Sequence, residues 1–140
     1  MPTPPPLDEI LETFELLEDW EDRFEYLLDL GKRLPELPES ERTEAARVHG
    51  CQAQVWLVLE SGGDGRVHLR AASDAHIVCG LLTIVFAIFD GKTPGEVLAT
   101  DAEAVFKTLG LDEHLSGTRR NGLAAVIARV RVMATELEAA

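Results

Sequence analysis

The chain has 140 residues, 46% of them apolar, and its 25 acidic against 13 basic side chains give a formal net charge of −12. This length is typical of one domain with its own hydrophobic core, and the apolar content excludes a disordered chain. A nucleic-acid-binding surface has to be basic, and an anionic membrane surface also attracts basic segments, so the acidity argues against both kinds of partner.

Residues 1–7 are a proline-rich lead-in without the basic and apolar regions of a secretory signal, so we expect a cytoplasmic protein. Apolar residues then repeat at helical spacing over 10–17 and again over 20–28, and Gly31 followed by Pro35 predicts the end of the second helix. A polar connection over 32–46 follows, with a turn of helix expected after Pro38.

The period of the pattern then changes from helix to strand. "QVWLVLE" (54–60) and "RVHLRA" (66–71) alternate apolar and polar positions around the turn sequence "SGGDG", which predicts an antiparallel hairpin. A third short strand is expected at residues 46–49, just before Cys51.

Helical spacing returns after the hairpin. Ser73 is the expected N-cap of a helix that runs to about Asp90, with Asp74 in its first turn. Its apolar run is too short to span a membrane. "TPGE" (93–96) predicts a capping box, short helices are expected over 94–99 and 102–109, and the last helix is expected to begin near Ser116. Nothing marks a second domain, so the prediction is one α+β domain over 1–140 with helices on one face of a small antiparallel sheet.

Cys51 is the strongest candidate for chemistry. It lies between Gly50 and Gln52, where a tight loop can present it, at the edge of an apolar run rather than inside it. The alternative is a small buried hydrophobic side chain, because free cysteines are among the most buried residues. Cys79, within "IVCGLL", has apolar neighbours and is expected in the core, although a redox pair of the two cysteines remains open. Both are expected to be free thiols in a reducing compartment, and no Cys/His spacing typical of zinc occurs.

Two histidines and two arginines are weaker candidates. His49 or His76 could in principle take the thiol proton, as in a Cys–His nucleophile, but solvated or locally bonded imidazoles are the simpler interpretation. Arg119 and Arg120 open the final helix, where cations oppose the helix dipole, and salt bridges to nearby carboxylates are slightly favoured over a binding role.

Five segments in order resemble the SufE family, the sulfur acceptors that work with cysteine desulfurases in iron–sulfur cluster assembly. They are "LGKRLPELPESER", "VHGCQAQVWL", "ASDAHIVCGLLTIVF", "KTPGEVL" and "LSGTRRNGLAAVIARVR". The resemblance covers residues 10–133, and its most specific part is the G-C-Q-x-Q-V-W segment. It implies a SufE/IscU-like α+β fold with a three-stranded antiparallel sheet and helices on one face and at the ends.

The resemblance also implies a role for named residues. Cys51 corresponds to the acceptor that takes a persulfide sulfur from the desulfurase, stimulates it, and passes the sulfur on. Asp74 and Arg119 match family positions near the acceptor loop. We predict that they, together with His49, Gly50 and Gln52, contact a partner or support the loop. Members of the family usually have no cysteine at the position of Cys79, which agrees with a core role for Cys79.

The implied partners are a SufS- or CsdA-like cysteine desulfurase and a SufB-like scaffold. The pyridoxal phosphate belongs to the desulfurase, so no bound cofactor or metal is expected here. Whether the sulfurtransferase-type half-reaction makes the chain an enzyme stays open. The alternatives are a thiol redox enzyme or sensor that uses Cys51 and Cys79, and a non-catalytic adaptor. Cluster scaffolding of the IscU type is disfavoured because it needs three cysteines and this chain has two.

Overall fold

The computed structural model describes residues 3–35 and 37–140, so Met1 and Pro2 of the lead-in and Glu36 of the connection lie outside the described residues. Its helices and strands are, in chain order, α1 (Leu7–Leu16), α2 (Trp20–Gly31), a 3₁₀ turn (Glu39–Glu41), β1 (Val55–Ser61), β2 (Val67–Ser73), α3 (His76–Phe89), α4 (Pro94–Ala99), α5 (Ala102–Thr108), α6 (Leu111–His114) and α7 (Gly117–Ala139).

Local capping signals determine where several helices begin and end. The predicted capping box is confirmed, because the Thr93 side chain accepts a hydrogen bond from Glu96 N and the Glu96 carboxylate accepts one from Thr93 N. Helix α2 ends at Gly31 as predicted, and the Ser116 hydroxyl caps α7 by accepting from Arg119 N at 3.2 Å. None of the helices in the described residues is both long and apolar enough to cross a bilayer.

Strands β1 and β2 form the predicted antiparallel hairpin, with Leu57 opposite Ala71 and Leu59 opposite Leu69. The alternation is clear in their burial. One face of the sheet is closed to solvent and packs on α3 and α7, with the buried side chains Val55, Leu57, Leu59, Val67, Leu69 and Ala71.

The expected third strand over 46–49 does not form: within the described residues the sheet has two strands. A single bridge between Arg47 and Trp56 remains, with hydrogen bonds from Val48 N to Val55 O (2.9 Å) and from Leu57 N to Ala46 O (2.8 Å). Turns over 44–46 and 49–50 flank this segment, so too few residues are extended to make a longer ladder.

Helix α3 begins at His76 with Ala75 as its N-cap, two residues later than predicted, and Ser73 is the last residue of β2 rather than an N-cap. The reason is a long-range contact: the Asp74 carboxylate accepts a hydrogen bond from Gln54 N at 3.0 Å. This contact continues the pairing of the hairpin past its last strand residues and delays the start of the helix.

Helices α2 and α3 cross at very short range. Gly80 of α3 lies so close to α2 that a Cβ at this position would be 2.2 Å from Leu27 O. One turn further along α3, the buried hydroxyl of Thr83 donates to Leu30 O at 2.9 Å. The missing side chain of Gly80 therefore fixes the separation of the two helices.

Candidate functional site

Cys51 lies in a loop that is held at both ends. On one side, Val48 N donates to Val55 O at 2.9 Å; on the other, Gln54 N donates to the Asp74 carboxylate at 3.0 Å. Between these clamps, Gly50 has a φ of 96°, a left-handed conformation that side chains disfavour. Cys51 thus lies in the middle of a short loop whose two ends are held by hydrogen bonds.

The thiol of Cys51 is partly buried and points toward α7, where its Sγ lies 3.5 Å from Gly122 O. It borders a cavity of about 500 Å³ between the loop, the start of α3 and the first turns of α7. The cavity has an apolar floor, formed by Val55, Val78, Leu81, Leu82, Leu123 and Val126. Its polar wall is formed by Gln52, Asp74, Ser116, Thr118 and Arg119.

Burial raises the pKa of the Cys51 thiol, and the nearby Arg47 guanidinium lowers it only in part. A thiol with a raised pKa is almost entirely protonated at neutral pH, and the protonated form can donate to Gly122 O. Because the thiolate is the nucleophile, burial lowers the reactivity of the Cys51 thiol in this position.

The sequence matches a model of the SufE family, described as an Fe–S metabolism associated domain, over residues 8–134. The chain belongs to the SufE family. Uncharacterized SufE-like proteins from Rhizobium meliloti (48% identity over 128 residues, 89% of this chain and 91% of the relative) and Rhizobium etli (47% over 128 residues, 89% and 86%) are similar throughout.

A solved structure shares the fold of this SufE-family chain. The solution structure of a hypothetical protein from Thermus thermophilus superimposes with a TM-score of 0.79 at 26% sequence identity, over 99% of each chain. The predicted α+β fold class is therefore confirmed, apart from the third strand, and the family description associates the chain with iron–sulfur metabolism.

Three of the predicted support residues of this SufE-family site lie in one cavity wall with Cys51: Gln52, Asp74 and Arg119. The other two do not border the cavity. Gly50 shapes the loop, and a Cβ on it would lie 3.3 Å from the Ala125 side chain.

The histidines and arginines are placed differently from one another. His49 is exposed, with Nε2 3.0 Å from the Glu44 carboxylate, so it does not face the thiol. The favoured salt bridges of Arg119 and Arg120 are absent within residues 3–35 and 37–140; Arg120 instead donates to Asp112 O at 3.1 Å. Arg119 is exposed and borders the cavity.

Cys79 is a free thiol on another side of α3. Its Sγ lies 3.4 Å from Ser73 O, its Cβ faces Gly31 of α2, and burial raises its pKa. It does not border the cavity that holds Cys51. Cys79 is less buried than the core position expected for it, but it packs between elements as a structural cysteine does.

Gly122 is a site residue that the sequence analysis did not single out. It is buried against Cys51, and a Cβ there would lie 3.4 Å from Sγ. A signal was available, because glycine inside a long helix costs about 1 kcal/mol relative to alanine and is retained for a reason of packing or function.

Groups of three or more possible metal ligands do not occur among the described residues.

Asp74 should control how often the loop opens. In a Cys79→Ala background, we expect Asp74→Ala to speed the alkylation of Cys51 by iodoacetamide about fivefold, which corresponds to the loss of a hydrogen bond worth ~1 kcal/mol. Asp74→Asn is the matched control, because its amide oxygen can still accept from Gln54 N. Alkylation at the same rate in all three proteins would show that the clamp does not restrain the loop.

Proposed function

We propose that this protein is a sulfur acceptor and carrier in iron–sulfur cluster assembly. Cys51 takes a sulfur atom from the persulfide of a cysteine desulfurase, stimulates that enzyme by relieving it of product, and passes the sulfur to a scaffold protein. The observation that carries the proposal is a single thiol near the top of a doubly clamped loop, poised over an apolar cavity.

The transfer is a thiol–disulfide type exchange. The Cys51 thiolate attacks the terminal sulfur of the donor persulfide, the donor's S–S bond breaks, and the donor cysteine leaves as a thiolate. Cys51 becomes a persulfide, and the proton it gives up is available to the leaving thiolate. No net oxidation or reduction occurs, so the step needs no cofactor on this chain; the pyridoxal phosphate that releases sulfur from cysteine belongs to the desulfurase. A second exchange of the same kind delivers the sulfur.

The surroundings of Cys51 suit a carrier between its two exchanges. A persulfide extends the side chain by one sulfur atom, about 2 Å, and the adjacent cavity of about 500 Å³ has room for it. Its apolar floor keeps water and charged thiol reductants away from the labile S–S bond. The raised pKa of the thiol means that the acceptor becomes reactive only when it leaves this environment, which ties reactivity to docking.

The proposed partners are those that the resemblance to the SufE family implies. The donor is a SufS- or CsdA-like desulfurase and the receiver a SufB-like scaffold, and the protein's net charge of −12 suits partners with basic docking surfaces. We place the protein in the cytoplasm, where both of its cysteines stay reduced.

The test is to incubate the reduced protein with a SufS- or CsdA-like desulfurase and cysteine and to measure its intact mass. We expect a gain of one sulfur atom per chain, located on the Cys51 peptide by fragmentation, together with faster cysteine turnover by the desulfurase. An unchanged mass and unchanged turnover would contradict the proposal. A Cys51–Cys79 disulfide after mild oxidation, with no sulfur uptake, would instead favour the thiol redox function.

A further inference from the structure

One edge of the sheet is open over half its length. Alternate residues of β1 pair with β2, and the others direct their N–H and C=O groups away from it. Residues 46–48 occupy the first part of that outer edge through Val55 O and Leu57 N. The next four groups, which are the C=O of Leu57, the N–H and C=O of Leu59 and the N–H of Ser61, have no partner among residues 3–35 and 37–140.

The opposite edge of the same sheet is covered. Val67 N donates to Lys92 O at 2.8 Å, Gly91 N donates to Val67 O at 2.9 Å, and Leu69 N donates to the Asp90 carboxylate at 2.8 Å. Proteins normally cover, shorten or charge their sheet edges, because unpaired strand groups are templates for another strand. The open edge of β1 therefore stands out from the edge of β2.

A groove of about 510 Å³ runs beside the open edge. Leu57, Val58 and Leu59 of β1 form one wall, Met133 and Leu137 of α7 contribute apolar surface, and part of the segment 40–46 closes one end. A strand added to β1 would lie in this groove and place every second side chain on α7.

Charges of opposite sign lie along the groove. Arg129 is near the Leu57 end, where its guanidinium donates to Ala45 O at 3.3 Å, and Glu136 lies two helical turns further along α7. Seven helical residues span about 10 Å, which is about three residues of an extended strand. The groove thus favours an extended segment with one acidic and one basic residue near its two ends.

We propose that the open edge of β1 binds an extended segment of another protein, which completes the sheet as its third strand. The segment runs antiparallel to β1, as residues 46–48 do. On the face toward α7 it carries a basic residue toward Glu136, an apolar residue in the middle and an acidic residue toward Arg129. This is recognition by strand addition, in which main-chain hydrogen bonds give affinity and alternate side chains give specificity.

The site is separate from the sulfur-transfer site. Both lie along α7, but Gly122, which contacts Cys51, and Met133, in the groove, are eleven residues apart. At 1.5 Å per residue this is about 16 Å. A partner bound in the groove leaves the cavity next to Cys51 open, so strand addition does not depend on the proposed function. A variant that no longer binds a partner in the groove should still accept sulfur.

The test uses the full chain and an acetylated, amidated hexapeptide, Thr-Lys-Thr-Val-Thr-Glu, whose Lys, Val and Glu side chains lie on one face of an extended strand. We expect saturable NMR shifts at the groove with slower hydrogen exchange of the Leu59 and Ser61 amides. Met133→Lys should weaken binding tenfold or more. Val132→Lys is the matched control, because Val132 is 48% exposed on the same helix outside the groove, and it should bind as the wild type does.

A second protein variant and a second peptide test the same site. Ser61→Pro removes one free backbone donor and breaks no backbone hydrogen bond, only the long contact from the exposed Ser61 hydroxyl to Gly62 O at 3.4 Å. It should therefore weaken peptide binding even if Met133→Lys proves unstable. The hexapeptide with its Lys and Glu exchanged should bind more weakly. The proposal is overturned if the peptide leaves the Leu59 and Ser61 amides unprotected, or if both variants bind it at full strength. It is also overturned if these amides become protected at high protein concentration without peptide, because a second copy then occupies the edge.

Discussion

Replacing Gly80 with alanine should lower the free energy of unfolding by about 3 kcal/mol or more. The new Cβ would lie 2.2 Å from Leu27 O and 2.8 Å from Leu27 C, and both are backbone atoms of α2. No side-chain rotation can relieve such a contact, so α2 and α3 have to move apart and the hydrogen bond from Thr83 to Leu30 O is strained or lost. Urea denaturation followed by circular dichroism measures the change.

Gly63→Ala is the control for this prediction. Gly63 lies in the hairpin turn, nothing is within 4 Å of a Cβ built on it, and its φ is not positive. We expect it to change the unfolding free energy by no more than about 0.5 kcal/mol. A Gly80→Ala protein as stable as Gly63→Ala would mean that the close crossing of α2 and α3 is not a feature of the molecule in solution.

Replacing Cys51 with serine should abolish sulfur uptake and the stimulation of a desulfurase, while the melting temperature stays close to that of the wild type. Serine is nearly isosteric, and its hydroxyl can still donate to Gly122 O, so the loop keeps its resting position. An alcohol is far too weak a nucleophile toward a persulfide without a strong base, and the described surroundings of Cys51 provide none. Intact mass and cysteine turnover are the two measurements.

Cys79→Ser is the matched control for Cys51→Ser. Cys79 lies outside the cavity wall, so we expect its replacement to leave sulfur uptake within about twofold of the wild type, with some loss of stability because the site is partly buried. Uptake that survives in Cys51→Ser and disappears in Cys79→Ser would reverse the assignment of the acceptor.

The features that the sequence predicts correctly depend on neighbours in the chain. The end of α2 at Gly31, the capping box before α4 and the hairpin turn each need only a few adjacent residues to form, so local residue types suffice. The resemblance to the SufE family likewise rests on short ordered segments and covers nearly the whole matched region.

The features that it misses depend on distant residues. Helix α3 starts late because Asp74 bonds to Gln54, twenty residues earlier, and no local pattern reports that contact. The third strand is lost to two flanking turns. The apolar residues of α3 and α7 are evident from their periodicity, but periodicity does not reveal that Val78 and Leu123 face a cavity rather than each other's helix.

The two clamps of the loop that carries Cys51 also set how far this side chain can travel. Cys51 is three residues from Val48 on one side and three from Gln54 on the other. A fully stretched chain covers about 3.5 Å per residue, so while both anchors hold, the Cα of Cys51 stays within about 10 Å of each anchor residue. On the proposed function, the donor's reactive cysteine has to come within reach of the Cys51 side chain while both clamps hold. If the donor's cysteine is recessed more deeply than that, either the donor has to move its sulfur outward or one of the two clamping hydrogen bonds has to break. The division of movement between the two proteins is thus decided by the length of six peptide units.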